Sequence, residues 1–173
     1  VHPVEAGRVA GETLLGERGG GGWPLVDMLN AERIGFAAAG TGIGKLAADH
    51  AIEYANDREV FGQPIGTHQA VSFPVTKAYA RMETASLMRD KAAWLYEQGE
   101  DCGYETNVAK AVAVESGIEA TRHAMQAFGG WGYATEYDVE RWWREINLTR
   151  LAPVTQQMAY NHISQELGFP RSY

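Results

Sequence analysis

The stretch that decides the fold covers residues 126–133 and reads Gln126-Ala127-Phe128-Gly129-Gly130-Trp131-Gly132-Tyr133. Before it, from about Glu105 to Phe128, apolar side chains recur at three- and four-residue spacing, which predicts a helix. We expect Gly129 and Gly130 to end this helix in the left-handed conformation, which glycine adopts without steric cost. Glycine also lets the backbone approach a bulky ligand. A helix terminator and tight turn without a ligand explains the same residues equally well, so both interpretations stay open.

Apolar side chains with helical spacing predict further helices on both sides of this stretch. The first is expected to begin at Trp23 and Pro24, because proline suits the first turn of a helix, and to end near Asn56. Pro74 is expected to kink the second helix or to delay its start. That second helix follows a mostly apolar stripe, namely Ala78, Met82, Ala85, Arg89, Ala92 and Tyr96.

The order and length of these segments predict the fold class. Two shorter helices are expected at about 139–148 and 155–167. Long helices joined by short loops, with almost no strand signal after residue 23, predict an all-α, up-and-down helical bundle over residues 23–173. Residues 1–22 hold two valine-rich segments and a run of four glycines, which suit a strand, a turn and a flexible hinge. They are predicted to be the tail of another domain that precedes the bundle.

Composition limits the classes of function. The 173 residues, 45% of them hydrophobic, suffice for one well-buried core. A formal net charge of -7 argues against a nucleic-acid partner, because phosphate binding needs clustered lysine and arginine. The histidines lack metal-ligand spacing, and Cys102 is the single cysteine, so neither a metal site nor a disulfide is expected. No apolar stretch reaches the roughly 20 residues that cross a bilayer, and no signal-peptide pattern is present. We therefore expect a cytoplasmic protein.

Glu32 is the most consequential single residue. On a helix it shares a face with small or apolar residues, including Met28, Phe36 and Ala39, which predicts that its carboxylate is partly desolvated. Desolvation raises the pKa of a carboxyl group towards neutral pH, as a general base that abstracts a weakly acidic carbon proton requires. The alternative is a solvated surface glutamate paired with a neighbouring cation, and the pattern alone favours that alternative.

The stretch 126–133, continued by residues 136–141 and Arg144, resembles the signature of the C-terminal helical domain of acyl-CoA dehydrogenases. Residues 30–34, 56–65 with Gln69, and 155–157 agree with that family in order and spacing, so the likeness covers essentially the whole chain. The resemblance implies an FAD-dependent enzyme that dehydrogenates an acyl-CoA thioester and passes electrons to an electron-transfer flavoprotein. Because 173 residues are too few for the family's three domains, the isolated chain is expected to bind FAD poorly and to turn over little.

The position of the catalytic glutamate departs from the common family pattern. Most acyl-CoA dehydrogenases place it in a late Tyr-Glu-Gly-Thr turn, where this chain has Ala-Pro-Val-Thr and Pro153 replaces the glutamate. A branch that looks like the isovaleryl-CoA type supplies the base from the first long helix, in a Leu-Asp-x-Glu-Arg context. Residues 29–33 match that context except that Asn30 replaces the aspartate. The resemblance thus implies Glu32 as the α-proton base, with hydride transfer to FAD, and Asn30 and Arg33 as substrate contacts.

Arg58, Phe61 and Gln69 combine an arginine for a diphosphate, an aromatic ring for a flat ligand and an amide. The pattern alone favours a surface arginine beside a core phenylalanine over a ligand site. The resemblance implies that these residues reach across a dimer interface to the FAD of the neighbouring subunit, within a homodimer or homotetramer formed through the bundle. It gives the same role to the helix end, with Gln126, Gly129 and Gly130.

The start of the last helix also has two readings. Thr155 and Gln157 place a hydroxyl and an amide two residues apart, which suits hydrogen bonding to a nucleotide, while Thr155 equally suits an N-cap. Both roles are compatible. Two rival functions remain open for the chain, namely a flavin oxidase or monooxygenase of the same fold, and a non-catalytic scaffold subunit of a mixed oligomer.

Overall fold

A computed structural model describes Gly11, Leu14 and residues 16–170. The strand predicted near the N-terminus lies mostly outside the described residues. The described part is almost entirely helical, as predicted. Its helices are α1 (Gly22–Asp57), α2 (Gln69–Glu97), α3 (Gly103–Phe128), α4 (Gly130–Tyr133), α5 (Val139–Leu151) and α6 (Gln156–Glu166). Between α1 and α2 lie β1 (Glu59–Val60), β2 (Gln63–Pro64) and a single 3-10 turn, Ile65–Thr67.

Three local predictions need correction. Pro74 lies inside α2 and does not delay its start, because the helix already begins at Gln69. The antiparallel pair β1 and β2 was not expected, since strands of two residues carry no periodic signal. Gly129 has the predicted positive φ, 60°, but its ψ of −133° lies outside the left-handed helical region. That combination belongs to a region of backbone space that is essentially restricted to glycine.

Helices α1 and α3 run parallel through the centre of the bundle. Near their starts, the Thr106 hydroxyl donates a hydrogen bond to Asn30 Oδ1 at 3.1 Å. Further along, a Cβ atom added at Gly44 would lie only 2.7 Å from the Gly117 Cα atom. A side chain at either position would therefore collide with the facing helix, so glycine sets the short distance between the two backbones.

Helix α2 is antiparallel to α1, as an ion pair between Lys45 and Glu83 and a 3.0 Å hydrogen bond from Arg89 to Thr41 demonstrate. The fourth column of the bundle consists of two helices in series. Helix α5 passes Gly117 at Ile146, and α6 continues in the same direction from the middle of α3 to its start. The result is an up-down-up-down bundle whose last helix is interrupted at residues 152–155.

The core is rich in alanine, which permits close helix packing. One cluster fills the half of the bundle that contains the C-terminal ends of α1 and α3, and a second fills the middle of the other half. The first cluster also contains larger side chains, among them Met82, Phe128 and Trp142. The two halves offer different surfaces for function, because polar groups are buried near the start of α3 and aromatic rings collect near its end.

Candidate functional site

Asn30 and Arg33 form a buried polar pair on α1. They are three residues apart and therefore share the helix face that packs against α3. Arg33 donates a 2.7 Å hydrogen bond to Asn30 Oδ1, and the two side chains are only 5% and 6% exposed. Burial lowers the pKa of the Arg33 guanidinium, and its Nε has no hydrogen-bond partner among the described residues. A buried N–H group without an acceptor is costly, so this nitrogen leaves the polar pair incompletely satisfied.

A cavity of about 990 Å³ opens beside this pair, between the start of α1, the α2–α3 loop and α6. Most of the residues that line it are polar or charged. Besides Asn30 and Arg33 they include Asp27, Glu100, Asp101, Asn107, Asn161 and His162. The structure thus brings together the two residues that were predicted to contact substrate, at the wall of a space large enough for a ligand.

Glu32 does not line this cavity, and the predicted desolvation of its carboxylate is wrong within this chain. Successive residues on a helix are about 100° apart, which turns Glu32 away from Arg33 and towards the outer face of α1. There it is exposed, and it forms no salt bridge within the described part of the chain. Its predicted apolar neighbourhood is real, because Leu25, Met28 and Leu46 are exposed on the same face. The carboxylate is solvated because nothing in the described part of the chain covers this apolar strip on the outer face of α1.

The predicted cofactor residues of the α1–α2 connection lie at the opposite end of the bundle. Arg58 follows α1 directly, and its carbonyl accepts a 2.8 Å hydrogen bond from Ile65 N–H. Phe61 is 94% exposed at the tip of the β1–β2 hairpin, so the alternative of a core phenylalanine is wrong. Its φ of 56°, followed by 78° at Gly62, is unusual for a residue with a side chain and holds the ring out into solvent. Gln69 is the exposed first residue of α2.

The end of α3 belongs to the same end of the molecule, because α1 and α3 are parallel. Gln126, Gly129 and Gly130 are all exposed there. A Cβ atom added at Gly129 or Gly130 would meet nothing within 4 Å, whereas one at Gly132 would lie 2.7 Å from the Met125 carbonyl oxygen. Gly132 is therefore required by packing within the chain. Gly129 is required by its backbone angles, and Gly130 by neither, which leaves room for a ligand at the first two glycines.

An aromatic cluster at this end was not anticipated from the sequence. Tyr54 stacks on Phe128 with ring centroids 4.1 Å apart, and Tyr137 meets Phe128 edge-on at 5.1 Å. With Arg58 and Trp131 these rings line a second cavity of about 520 Å³. The sequence signal was available in the aromatic residues of the stretch 126–137, but nothing in it indicated that α1 would contribute Tyr54.

Thr155 and Gln157 lie elsewhere. Thr155 is the N-cap of α6, and its hydroxyl accepts a hydrogen bond from Met158 N–H at 3.4 Å, so its predicted capping role is confirmed. Gln157 is exposed. The neighbouring Gln156 contacts Ala111 in the middle of α3, and Gly129 is 18 residues further along, about 27 Å at 1.5 Å per residue. The two groups of predicted cofactor residues therefore do not converge within one chain.

Lys110 was missed at the sequence level. It is fully buried, at 0% exposure, and its ammonium donates a 2.6 Å hydrogen bond to the Val154 carbonyl. Burial, and secondarily the charge of Arg33, lower the pKa of Lys110 to about 8. The available signal was a lysine in the middle of an otherwise apolar run on α3, between Ala109 and Ala111.

Comparison with known proteins identifies the family. The model of the acyl-CoA dehydrogenase C-terminal domain matches residues 20–168. The chain belongs to the acyl-CoA dehydrogenase family. The acyl-CoA dehydrogenase FadE12 of Mycobacterium tuberculosis is 37% identical to it over 169 residues, which are 96% of this chain and 44% of FadE12.

Solved structures agree with this acyl-CoA dehydrogenase fold. Butyryl-CoA dehydrogenase from Megasphaera elsdenii matches with a TM-score of 0.84 and 33% identity, over 92% of this chain and 42% of that one. A chain from a structure described as the electron transferring flavoprotein of Acidaminococcus fermentans matches with a TM-score of 0.86 and 33% identity, over the same shares of the two chains. The acyl-CoA dehydrogenase domain described here therefore spans less than half the length of these relatives.

Two further observations on this acyl-CoA dehydrogenase domain concern membrane-spanning helices and metal-binding side chains. None of the helices formed by the described residues is long and apolar enough to cross a membrane. Among the same residues, no group of three or more histidine, cysteine, aspartate or glutamate side chains is placed to hold a metal ion.

Proposed function

We propose that the chain is the C-terminal domain of an FAD-dependent acyl-CoA dehydrogenase, in which Glu32 removes the α-proton of an acyl-CoA thioester. The observation that carries this proposal is the strip around Glu32. A lone carboxylate stands among exposed apolar side chains on the outer face of α1, so any domain or acyl group that covers the strip removes its water. Desolvation disfavours the charged form of a carboxylate, so the covered position would suit a general base.

Asn30 and Arg33 are proposed to hold the substrate beside this base. They line the polar cavity on one side of α1, and Glu32 lies about 100° around the helix from Arg33. A ligand that contacts both Glu32 and Arg33 must pass along the side of α1 that carries Leu29. The Arg33 side chain lines the cavity, and its guanidinium is the donor group there. A carbonyl oxygen of the substrate is an acceptor of the right kind for a guanidinium.

Family homologues are FAD-dependent, and the residues at the other end of the bundle fit such a group. Arg58 forms no salt bridge among the described residues, Phe61 is almost fully exposed, and the first two glycines of the turn are open. FAD would supply the hydride acceptor, with Gln69 and Gln126 as amide contacts. Thr155 and Gln157 lie about 27 Å away along the bundle, so we propose that the two groups serve the cofactors of different subunits.

This arrangement requires a dimer or tetramer that forms through the bundle. Exposed apolar residues such as Leu148 and Leu151 on α5 and Trp94 on α2 supply contact surface for it. We further propose that preceding helical and β-barrel domains complete the site and that the isolated 173 residues therefore turn over little. An electron-transfer flavoprotein is the proposed electron acceptor. The proposed location of the protein is the cytoplasm. A monomer at high concentration in analytical ultracentrifugation would contradict the self-association.

The decisive experiment is anaerobic reduction of bound flavin by acyl-CoA in the protein that contains this chain. Glu32→Gln is expected to lower the reduction rate at least 100-fold, the usual contribution of a general base, with the absorbance spectrum of the flavin unchanged. Glu97→Gln, at an exposed glutamate at the end of α2, is the matched control and should react like the wild type. Full activity of Glu32→Gln would favour the scaffold subunit instead.

A second candidate, an oxidase of the same fold, is favoured by one observation. The family resemblance puts Pro153 where most members carry the catalytic glutamate, so the usual base is missing from that turn. Oxygen consumption with acyl-CoA, in the absence of any protein acceptor, would identify the oxidase. Turnover that requires an added electron-transfer flavoprotein would identify the dehydrogenase.

A further inference from the structure

The interruption between α5 and α6 is held by a buried cation that the proposed chemistry does not use. Lys110 of α3 is completely enclosed, and its Nζ donates a 2.6 Å hydrogen bond to the Val154 carbonyl. Two further oxygens lie at 3.5 Å from the same nitrogen, the Arg150 carbonyl and Gln156 Oε1. All three acceptors belong to residues 150–156, where the fourth column of the bundle breaks.

The break itself explains why these oxygens need donors. The last carbonyl groups of a helix and those of the following loop have no partners within the helix. At this junction the Arg150 and Val154 carbonyl groups face the Lys110 ammonium. An ammonium group carries three N–H bonds and can meet three oxygens at once. Gln156 adds a second connection, because its Nε2 donates a 2.8 Å hydrogen bond to the Ala111 carbonyl.

Stability alone would not select a lysine here. A buried charge costs free energy that a methionine or leucine of similar volume does not, and among the residues that the structure describes no carboxylate is hydrogen-bonded to Lys110. What the lysine adds is directional control, since it fixes the path of the chain on both sides of Val154. The next residue, Thr155, and the exposed Gln157 are those whose hydroxyl and amide were assigned to the nucleotide.

We propose that Lys110 is a positioning residue, which fixes the α5–α6 junction so that Thr155 and Gln157 are presented to the cofactor in one orientation. This inference rests on the proposed function, because it takes those two residues as FAD contacts. Lys110 itself is buried and does not touch the cofactor. Its role is exerted through the Val154 carbonyl and through Gln156.

The test compares Lys110→Met with Lys77→Met, which removes an exposed lysine of α2 and is the matched control. Amide hydrogen exchange over residues 150–158 and FAD affinity of the apoprotein, by quenching of flavin fluorescence, are measured on the protein that contains this chain. Lys110→Met is expected to accelerate exchange in that segment, with exchange at 34–47 unchanged, and to weaken FAD binding at least tenfold. Lys77→Met should change neither.

Gln156→Met is the second variant and removes the other connection, so it keeps the proposal testable if Lys110→Met fails to fold. Faster exchange with unchanged FAD affinity would overturn the positioning role and leave a purely structural one. Unchanged exchange would overturn the idea that Lys110 holds the junction. If the wild-type apoprotein bound no FAD, the proposed function would fail at its cofactor, and the exchange data would still decide whether the junction is held.

Discussion

Asn30 is the acceptor for two donors from different helices, Arg33 on its own helix and Thr106 on α3. The hydrogen bonds to Asn30 Oδ1 measure 2.7 Å and 3.1 Å, and both are buried. The amide of Asn30 in turn donates to Asp27 at 3.3 Å. One side chain thereby links the polar network at the start of α1 to the start of α3.

Replacement of Asn30 by leucine is expected to destabilise the protein strongly. The substitution keeps the branched shape and the number of heavy atoms but removes the acceptor for a buried guanidinium, and each unsatisfied buried donor costs about 1–3 kcal/mol. We expect the free energy of unfolding to fall by about 2–4 kcal/mol in urea denaturation. Thr106→Val is the milder control, because it removes only one donor. An equal loss in both variants would contradict a central role for Asn30.

The close approach of α1 and α3 gives a second prediction. Gly44→Ala would place a methyl group 2.7 Å from the Gly117 Cα atom, and we expect it to lower the free energy of unfolding by about 1–3 kcal/mol, as overpacking does. Gly42→Ala is the matched control, two residues away on the same helix with nothing within 4 Å. It should stabilise the protein by about 0.5–1 kcal/mol, because alanine has the better helix propensity. Thermal unfolding measures both, and effects of the same sign would disprove the assigned role of Gly44.

In the glycine turn after α3, Gly130 is predicted to matter for cofactor binding and Gly132 for packing. Gly130→Ala meets no atoms within the chain, so its free energy of unfolding should stay within about 1 kcal/mol of the wild type, while FAD affinity falls about tenfold if a cofactor approaches there. Gly132→Ala would crowd the Met125 carbonyl and should destabilise the turn itself. Urea denaturation and flavin titration distinguish the two. Unchanged FAD affinity of Gly130→Ala would remove this glycine from the proposed site.

The long helices were predictable because their signals are local. The ends of α1 and α3 were predicted to within two residues. The signals were apolar spacing, Pro24 and the glycines after Phe128. The approximate positions of α5 and α6 also followed from spacing. The features that were not predicted are either short or formed by residues far apart in the sequence. The hairpin at Phe61 is too brief for a period, and its exposed ring reverses the usual expectation that phenylalanine is buried.

The candidate site illustrates the same limit. Asn30 and Arg33 were found through a motif, but their shared burial depends on α3, more than 70 residues away in sequence. Lys110 gave no motif at all, since its partners lie on the α5–α6 junction. The solvation of Glu32 was predicted wrongly because the covering of a helix face depends on which elements pack against it, and no spacing within α1 encodes that.

The buried Lys110 predicts a pH dependence of stability with a defined sign. Its pKa is lowered from 10.5 to about 8 in the folded chain, first by burial and then by Arg33. Between these values the unfolded chain binds a proton that the folded chain does not, so this group's contribution to the free energy of unfolding rises with pH. The gain is at most about 3.5 kcal/mol, at about 1.4 kcal/mol for each of about 2.5 pKa units.

Comparison of the wild type with Lys110→Met isolates the contribution of Lys110 to the pH dependence of the free energy of unfolding. Burial also raises the pKa values of Cys102 and Tyr160, and both groups destabilise the folded chain as pH rises, but they are present in both proteins. In urea denaturation between about pH 7.5 and pH 10.5, the wild type should gain stability relative to Lys110→Met. Parallel curves for the two proteins would mean that the ammonium keeps its ordinary pKa in the folded state. The junction oxygens would then compensate fully for its burial.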